Sequence, residues 1–233
     1  LGRHFARRHA PLLQVPENPA QWSDDDALHA LSLLGADTPS DLIVGEAACR
    51  AWLEQAQRLR AGDVPRAWRQ GEWEALYPRL ADEALLDGEP GSSAGGEFPK
   101  FTAIRLTQLE DEGAGDAQHL LVKFSGADAS AGSQRWADLL VCEHLAGQVL
   151  REHLGIQAAA SCIRKAGGRT FLEVDRFDRH GLTGRSGAVS WASLDGAVFG
   201  TAGRPWTEAG QRLVAKGWLQ AEQAQQLACL WHF

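Results

Sequence analysis

The sequence predicts an α+β fold with a mostly helical N-terminal subdomain, a small β-rich lobe containing one long helix, and the beginning of a second helical lobe. In the first third of the chain, apolar residues recur at helical spacing. In the middle third, runs that alternate apolar and polar residues are typical of half-buried strands. From Trp191 onward the spacing is helical again. We therefore expect three segments, residues 1–86, 87–179 and 180–233.

The composition is that of an ordinary globular protein with 233 residues, 44% of them hydrophobic. A net charge of -7 argues against direct nucleic-acid binding, because proteins that bind nucleic acids usually carry a basic excess. No apolar run approaches the roughly 18 residues of a membrane span. The four cysteines lack the paired spacing of metal ligands, so we expect no metal site, buried reduced thiols and a cytoplasmic protein.

The N-terminal third begins with a basic arm that contains three prolines, residues 1–20, which we expect to be irregular. Such an arm either contacts phosphates or lies on the domain as a tether. Ser23 and the three aspartates after it start a helix. A short buried strand is expected at 41–45, a helix at 46–59 and an interrupted helix at 63–86. The aromatic residues of that last segment are expected in the core: Trp68, Trp73 and Tyr77.

The middle third contains two predicted β-hairpins on either side of a helix. The alternating runs lie at residues 101–107, 119–124, 158–164 and 170–174. A turn at Gly167 and Gly168 joins the last two runs. The helix between the hairpins runs from about Arg135 to Leu154.

A turn rich in Gly and Ser, residues 91–100, leads into the first hairpin. Backbone N–H groups of such a turn can close around an anion because few side chains intervene. The P-loop pattern is excluded, since Gly95 and Gly96 are followed by Glu97. The Rossmann pattern is excluded because Pro99 opens an extended run where a helix is required. A glycine-rich turn between strands with a lysine in a later strand is closer to the arrangement of protein kinases.

Two charged residues in apolar surroundings are candidates for an anion site. Lys123 lies between Val122 and Phe124, either as an edge lysine that reaches solvent or as a buried cation that needs a partner. Glu143 lies on the apolar stripe of the next helix, either as that partner or as a boundary residue that reaches solvent. A strand Lys held by a helix Glu orients the ATP phosphates in protein kinases.

The run Val174-Asp-Arg-Phe-Asp-Arg179 follows, where the strand pattern gives way to a loop. It would suit a hinge between two lobes, with backbone groups that face an adenine. Alternatively, it is a solvated strand end with Phe177 as its apolar anchor.

Taken in this order, these features resemble the HipA family of serine/threonine kinases. The similarity rests on the turn at 91–100, Leu121-Val-Lys-Phe124, the Glu143 helix that ends at Leu154-Gly155, and the run at 174–179. It is clearest over residues 85–233 and is nearest to the stand-alone YjjJ-type branch of the family. The resemblance implies a protein-kinase-like (HipA-like) fold and transfer of the γ-phosphoryl group of ATP to a protein Ser or Thr.

The resemblance also implies an ATP site formed by nine residues of this chain: Ser93, Ala94, Gly95, Gly96, Lys123, Glu143, Asp175, Arg176 and Phe177. Ser93 would be the serine that is autophosphorylated. Lys123, oriented by Glu143, would bind the phosphates. The backbone of residues 175–177 would contact the adenine, while Asp178 and Arg179 complete the motif without an assigned role.

The chain departs from the family in one respect. The family's catalytic loop, with its Asp base and its Mg²⁺ ligands, follows a helix that residues 221–233 resemble, and the chain stops there. No residue of this chain therefore corresponds to a catalytic base or metal ligand, and we expect the Mg²⁺ ligands outside it. The chain starts at Leu1, contains no Met and ends inside an apolar helical segment. We therefore expect it to be part of a longer protein.

By resemblance, the whole protein would be the toxin of a type II toxin–antitoxin-like system. Its partners would be ATP, a HipB-like antitoxin and a protein substrate, with aminoacyl-tRNA synthetases as the substrate class of relatives. An alternative of a different class is a catalytically inactive module that binds a nucleotide or a protein partner. DNA binding through an antitoxin is a third alternative, which the acidic net charge does not favour.

Overall fold

The computed structural model describes four stretches of the chain: residues 3–87, 99–107, 116–200 and 205–233. The chain divides into two compact units, Leu1–Ala188 and Val189–Phe233. Two of the three predicted segments, residues 1–86 and 87–179, lie in the first unit. The boundaries between the predicted segments stay a prediction.

The helices of the first unit are α1 (Arg3–Leu13), α2 (Asp24–Leu34), α3 (Glu46–Arg60), α4 (Trp73–Asp87) and α5 (Ala131–Glu152), with short 3₁₀ turns at Pro19–Gln21 and Gly35–Asp37. The second unit contains α6 (Trp191–Val198), α7 (Trp206–Ala215) and α8 (Ala221–His232). Among the described residues, none of the helices combines the length and the apolar character that a bilayer crossing requires.

The strands are β1 (Ala67–Trp68), β2 (Lys100–Thr107), β3 (Asp116–Phe124), β4 (Ser161–Ala166), β5 (Arg169–Asp175), β6 (Arg179–His180) and β7 (Gly184–Arg185). The first five form a mixed sheet in the order β1-β2-β3-β5-β4, in which β1 runs parallel to β2 and the other pairs are antiparallel. Strands β6 and β7 form a separate two-stranded pair. The predicted α+β class and both predicted hairpins are confirmed.

One face of the sheet forms the main core against α4. On β3, Leu120, Val122 and Phe124 are completely buried, and they pack with Tyr77 of α4. Side chains alternate between the two faces of a strand, so Lys123 is directed to the opposite face. Helix α5 covers that opposite face, as the contact between its Glu143 and Lys123 shows.

A buried polar network crosses the main core. The Glu173 side chain is 1% exposed and accepts hydrogen bonds from the Tyr77 hydroxyl at 2.7 Å and from Arg164 Nε at 3.1 Å. Its second oxygen lies 3.7 Å from a guanidinium nitrogen of Arg105. The Trp68 indole donates to the Tyr77 oxygen at 3.0 Å. Burial and the neighbouring Glu173 carboxylate raise the pKa of Tyr77 far above its ordinary value, so Tyr77 stays a hydrogen-bond donor.

The N-terminal arm is helical, so the expectation of an irregular arm was wrong. Helix α1 includes Pro11 in its last turn. The helix is favoured because Ala6, Ala10 and Leu13, spaced on one face, are all buried. That apolar periodicity outweighs the backbone hydrogen bond that the proline cannot form.

The predicted strand at residues 41–45 was also wrong, since this stretch is an irregular connection to α3. The Leu42 side chain is 68% exposed. Gly45 precedes α3 with a φ of 86°, and a Cβ at this position would lie 2.7 Å from Cβ of Ser32. The connection therefore requires glycine where α2 and α3 approach each other.

The cysteines are mostly on the surface, which contradicts the expectation of buried thiols. Cys49, Cys142 and Cys229 are exposed, Cys162 is partly buried, and all four are free. Cys49 illustrates the reason, because its neighbour Ala48 is completely buried while Cys49 lies on another side of α3.

Replacing Tyr77 by Phe tests the buried network. The Tyr77→Phe change removes one hydrogen bond from the buried Glu173 carboxylate and leaves the Trp68 indole without its acceptor, so we expect a loss of about 1–3 kcal/mol in the free energy of unfolding. Urea denaturation followed by circular dichroism measures this loss. On the same helix, Arg79→Ala removes only an exposed ion pair with Glu83 and should change stability little. Equal losses in the two variants would contradict this account of the core.

Candidate functional site

Lys123 and Glu143 form an ion pair on the sheet face opposite the main core. Nζ of Lys123 donates a hydrogen bond to Oε1 of Glu143 at 2.5 Å. The Lys123 side chain is 20% exposed and that of Glu143 is 42% exposed. The structure therefore brings together the two residues that the sequence predicts as a pair. Glu143 also reaches solvent, so it lies at the edge of the helix face that packs on the sheet.

Helix α5 holds Glu143 in place through contacts on both sides of it. Leu140 is completely buried, whereas its neighbour Leu139 is 46% exposed. His144 Nδ1 lies 2.9 Å from the hydroxyl of Ser161 on β4. A buried side chain one turn before Glu143 and a polar contact directly after it fix the position of the carboxylate.

Lys100 is a second cation at this site and is not among the predicted site residues. It is the first residue of β2 and lies directly opposite Lys123 in the β2–β3 register. Burial lowers the pKa of Lys100, the charge of Lys123 lowers it further, and the Glu143 carboxylate opposes the shift. Two lysine ammonium groups therefore lie close to each other at this site. The signal in the sequence was the hairpin register, which places the first residue of one strand opposite Lys123.

The glycine-rich turn cannot be placed at the site. Ser93, Ala94, Gly95 and Gly96 lie outside the described residues, and their predicted roles stay predictions. The end of the turn is described, because the Phe124 N–H donates to the Pro99 carbonyl at 3.2 Å. The turn therefore leads directly into Lys100.

Residues 175–177 follow the end of β5. The Asp175 N–H donates to the Ala160 carbonyl at 2.8 Å, and the Arg176 N–H donates to the His119 carbonyl at 2.9 Å. Both of these hydrogen bonds would have to break before the two N–H groups could contact an adenine. The contact between adenine and residues 175–177 therefore stays a prediction. Phe177 is 75% exposed, so it does not anchor the strand end in the core.

The other charged residues of this motif form a buried cluster. Asp178, which is 5% exposed, accepts two hydrogen bonds from Arg176 at 3.0 Å and one from Arg179 at 2.7 Å. The Ser40 N–H donates to the same carboxylate at 3.1 Å. Asp37 accepts from both arginines, at 3.2 Å from Arg176 and 2.7 Å from Arg179. The cluster attaches the segment before α3 to the end of β5, which gives Asp178 and Arg179 a structural role.

Lys100 and Lys123 are paired across strands β2 and β3 at this site. Lysine ammonium groups bind phosphate oxygens as point charges, so the arrangement has the chemistry of an anion site. Within the described stretches there is no group of three or more His, Cys, Asp or Glu side chains that could hold a metal ion.

The chain resembles known proteins over its whole length. It is 33% identical to Toxin YjjJ of Escherichia coli (strain K12) over 234 residues, which cover 100% of this chain and 49% of the relative. The chain is similar to a bacterial toxin. Residues 1–53 match the protein family described as YjjJ-like toxin, middle domain. The chain spans about half the length of the curated relative that it matches. No solved structure matches it.

The YjjJ-like segment, residues 1–53, includes α1, α2 and the first half of α3. Asp37 and Ser40 belong to it, and both contact Asp178 or its arginine partners. The buried cluster therefore joins the YjjJ-like segment to the residues that follow β5.

The acidity of Asp178 gives a test of the cluster. Burial opposes its ionisation, but the hydrogen bonds and charge of Arg176, the charge of Arg179 and the Ser40 N–H outweigh burial and lower the pKa of Asp178 to about 2. An unfolded Asp has a pKa of about 3.9. The carboxylate therefore contributes stability above about pH 4 that is lost as the pH falls toward 2, amounting to about 2 kcal/mol.

We expect the wild-type protein to lose about 2 kcal/mol more unfolding free energy between pH 5 and pH 2 than Asp178→Asn loses. Urea denaturation at a series of pH values measures the difference. The control is Asp138→Asn, a change at an exposed position of α5, which should show the same decrease in unfolding free energy between pH 5 and pH 2 as the wild type. An identical decrease in Asp178→Asn and in the wild type would contradict the pairing of Asp178 with Arg176 and Arg179.

Proposed function

We propose that the chain is the nucleotide-binding half of a HipA-like serine/threonine protein kinase that acts as a toxin. In this proposal the ATP phosphates bind at Lys123 and Lys100. The observation that carries the proposal is the Lys123–Glu143 pair, which corresponds to the strand-lysine and helix-glutamate device of protein kinases. The similarity to Toxin YjjJ supports the toxin part of the proposal.

The energetics of the pair favour a binding role over a structural one. An ion pair with a carboxylate that is 42% exposed contributes on the order of 1 kcal/mol or less to stability. An apolar residue at position 123 would avoid the desolvation of an ammonium group on a central strand. The pair is better explained by a ligand that uses the charge of Lys123, held in a fixed position by Glu143.

Two neighbouring ammonium groups specify the kind of ligand. Lys100 and Lys123 lie opposite each other in the β2–β3 register, and such a pair suits a group with several negative charges. A nucleotide triphosphate meets this requirement. Mg²⁺ would supply further neutralisation of the phosphates, and its ligands and the catalytic base are proposed to lie in the other half of the whole protein.

Lysine substitution in the full-length protein tests the proposal. Lys123→Ala should lower kcat/KM for phosphoryl transfer from ATP by about 100-fold or more, because a fixed charge that stabilises the transferring phosphates is lost. Lys100→Ala should weaken ATP binding. The matched control is Lys165→Ala, an exposed lysine on β4.

Transfer of labelled phosphate to protein and calorimetric titration with ATP are the two measurements. Undiminished transfer by Lys123→Ala would contradict the proposal. A wild-type protein that binds ATP without transferring phosphate would support the alternative of an inactive nucleotide-binding module.

The resemblance also suggests regulation and partners. Phosphorylation of Ser93 would add about two negative charges to the turn before Lys100 and is proposed to weaken ATP binding. We therefore expect Ser93→Asp to lower ATP affinity several-fold in calorimetric titration while Ser93→Ala leaves it unchanged. Equal affinity of the two variants would contradict this. On the same basis we propose two partners. One is a protein that accepts the phosphoryl group on a Ser or Thr, with aminoacyl-tRNA synthetases as the substrate class of relatives. The other is a HipB-like antitoxin.

A further inference from the structure

The outward side of α5 carries a row of apolar residues that we call the outer face. It consists of Leu139, Cys142, Leu145 and Val149, which follow one another at intervals of three and four residues. Such intervals place residues on one side of a helix. Cys142 is exposed, and the other three side chains keep 39–52% of their surface accessible. The outer face is therefore a continuous apolar strip about three turns long.

The opposite side of α5 is covered by the sheet. Leu140 is completely buried there. His144 contacts Ser161, and Arg151 donates a hydrogen bond to the Ala159 carbonyl. The strands that α5 contacts, β3, β4 and β5, belong to one sheet and so reach the helix from one side. A helix that is apolar on both sides is usually buried on both. Because the sheet leaves the outer face uncovered, this face suits a further partner.

One charged residue stands at each end of the outer face. Arg135 lies seven residues before Cys142, and Glu152 lies seven residues after Leu145. A spacing of seven keeps residues on the same side of a helix, so both charges flank the apolar strip. Both side chains are exposed, and within the described stretches neither forms an ion pair or a hydrogen bond. A cation and an anion are thus available on this side of α5.

The order of these residues is self-complementary. We consider two copies of α5 that run antiparallel about a two-fold axis passing between residues 143 and 144. Cys142 of one copy then lies opposite Leu145 of the other, and Arg135 lies opposite Glu152. The symmetry forms each of these contacts twice. This is the arrangement of an antiparallel helix pair with heptad spacing, in which apolar layers are closed at both ends by ion pairs.

One acidic residue on this side of α5 lies outside the apolar strip. Asp138 accepts a hydrogen bond from Gln134 of the same helix at 2.8 Å. In the antiparallel pair Asp138 would stay at the edge of the contact, where water and Gln134 satisfy its oxygens. Its charge therefore does not have to be buried when the apolar layers meet.

We propose that the outer face of α5 is a contact between two copies of this protein, which pair their α5 helices antiparallel about a two-fold axis. A second copy fits this face because it supplies apolar side chains opposite apolar ones and an anion opposite each available cation. The contact is small compared with the roughly 20–30 residues a side of a standard interface. We therefore expect weak and reversible association, with a Kd of about 10–100 µM.

This proposal goes beyond phosphoryl transfer, since it concerns the assembly of the protein. It uses none of the residues of the proposed ATP site, so it does not depend on the proposed function. Its test is the oligomeric state of the full-length protein, which is measured without a nucleotide.

Charge reversal tests the pairing by analytical ultracentrifugation at about 5–500 µM protein. Arg135→Glu places two anions opposite each other at both ends of the contact, and Glu152→Arg places two cations there. Each variant alone should therefore dimerise about tenfold or more weakly than the wild type. An equal mixture of the two variants should associate as the wild type does, because a heterodimer regains both ion pairs. The matched control is Lys165→Glu, a charge reversal at an exposed position of β4, which should leave the Kd unchanged.

Maleimide labelling of Cys142, read by peptide mass spectrometry, is the second measurement. Cys142 faces the second copy in the pair, so its labelling in the wild type should slow several-fold between about 5 and 500 µM protein. Circular dichroism verifies that the variants remain folded. A wild-type protein that stays monomeric at about 500 µM would overturn the proposal. It would also be overturned by a mixture of the two variants that associates no better than either alone, or by a dimer in which Cys142 is labelled as fast as in the monomer.

Discussion

The alternation of side chains along β3 is the constraint on which the rest of the first unit depends. Leu120, Val122 and Phe124 are completely buried against the α4 side of the sheet. A shift of one residue would expose all three, at a cost of about 6 kcal/mol for three large apolar side chains. The same alternation fixes Lys123 on the opposite face, where α5 supplies Glu143. The position of the candidate site therefore follows from the packing of the core.

Charged residues in this unit serve two different purposes, and the degree of burial of a side chain indicates which purpose it serves. Glu173 and Asp178 are almost completely buried, and arginines surround both carboxylates. Removal of either carboxylate would leave the neighbouring guanidinium groups with fewer acceptors, so these residues stabilise the fold. The Lys123–Glu143 pair is partly exposed and contributes little to stability, which makes it available for a ligand.

The sequence predicts those parts of the fold that depend on local pattern. Alternating runs and the turn at Gly167 and Gly168 predict both hairpins, and the capping at Ser23 predicts the start of α2. Contacts between distant residues are not predictable in this way. Arg176 bonds to Asp37, 139 positions away, and nothing in either local sequence indicates that contact. Lys100 is a different case, because the register of the predicted β2–β3 hairpin, which places it opposite Lys123, was a signal for it.

A crystal structure of the full-length protein with a non-hydrolysable ATP analogue would test the central claim most directly. The account predicts a phosphate oxygen within roughly 3 Å of Lys123 Nζ, with Glu143 still bonded to the lysine and Lys100 beside the phosphates. An analogue bound elsewhere, with the Lys123–Glu143 pair unchanged and without a phosphate contact, would contradict it.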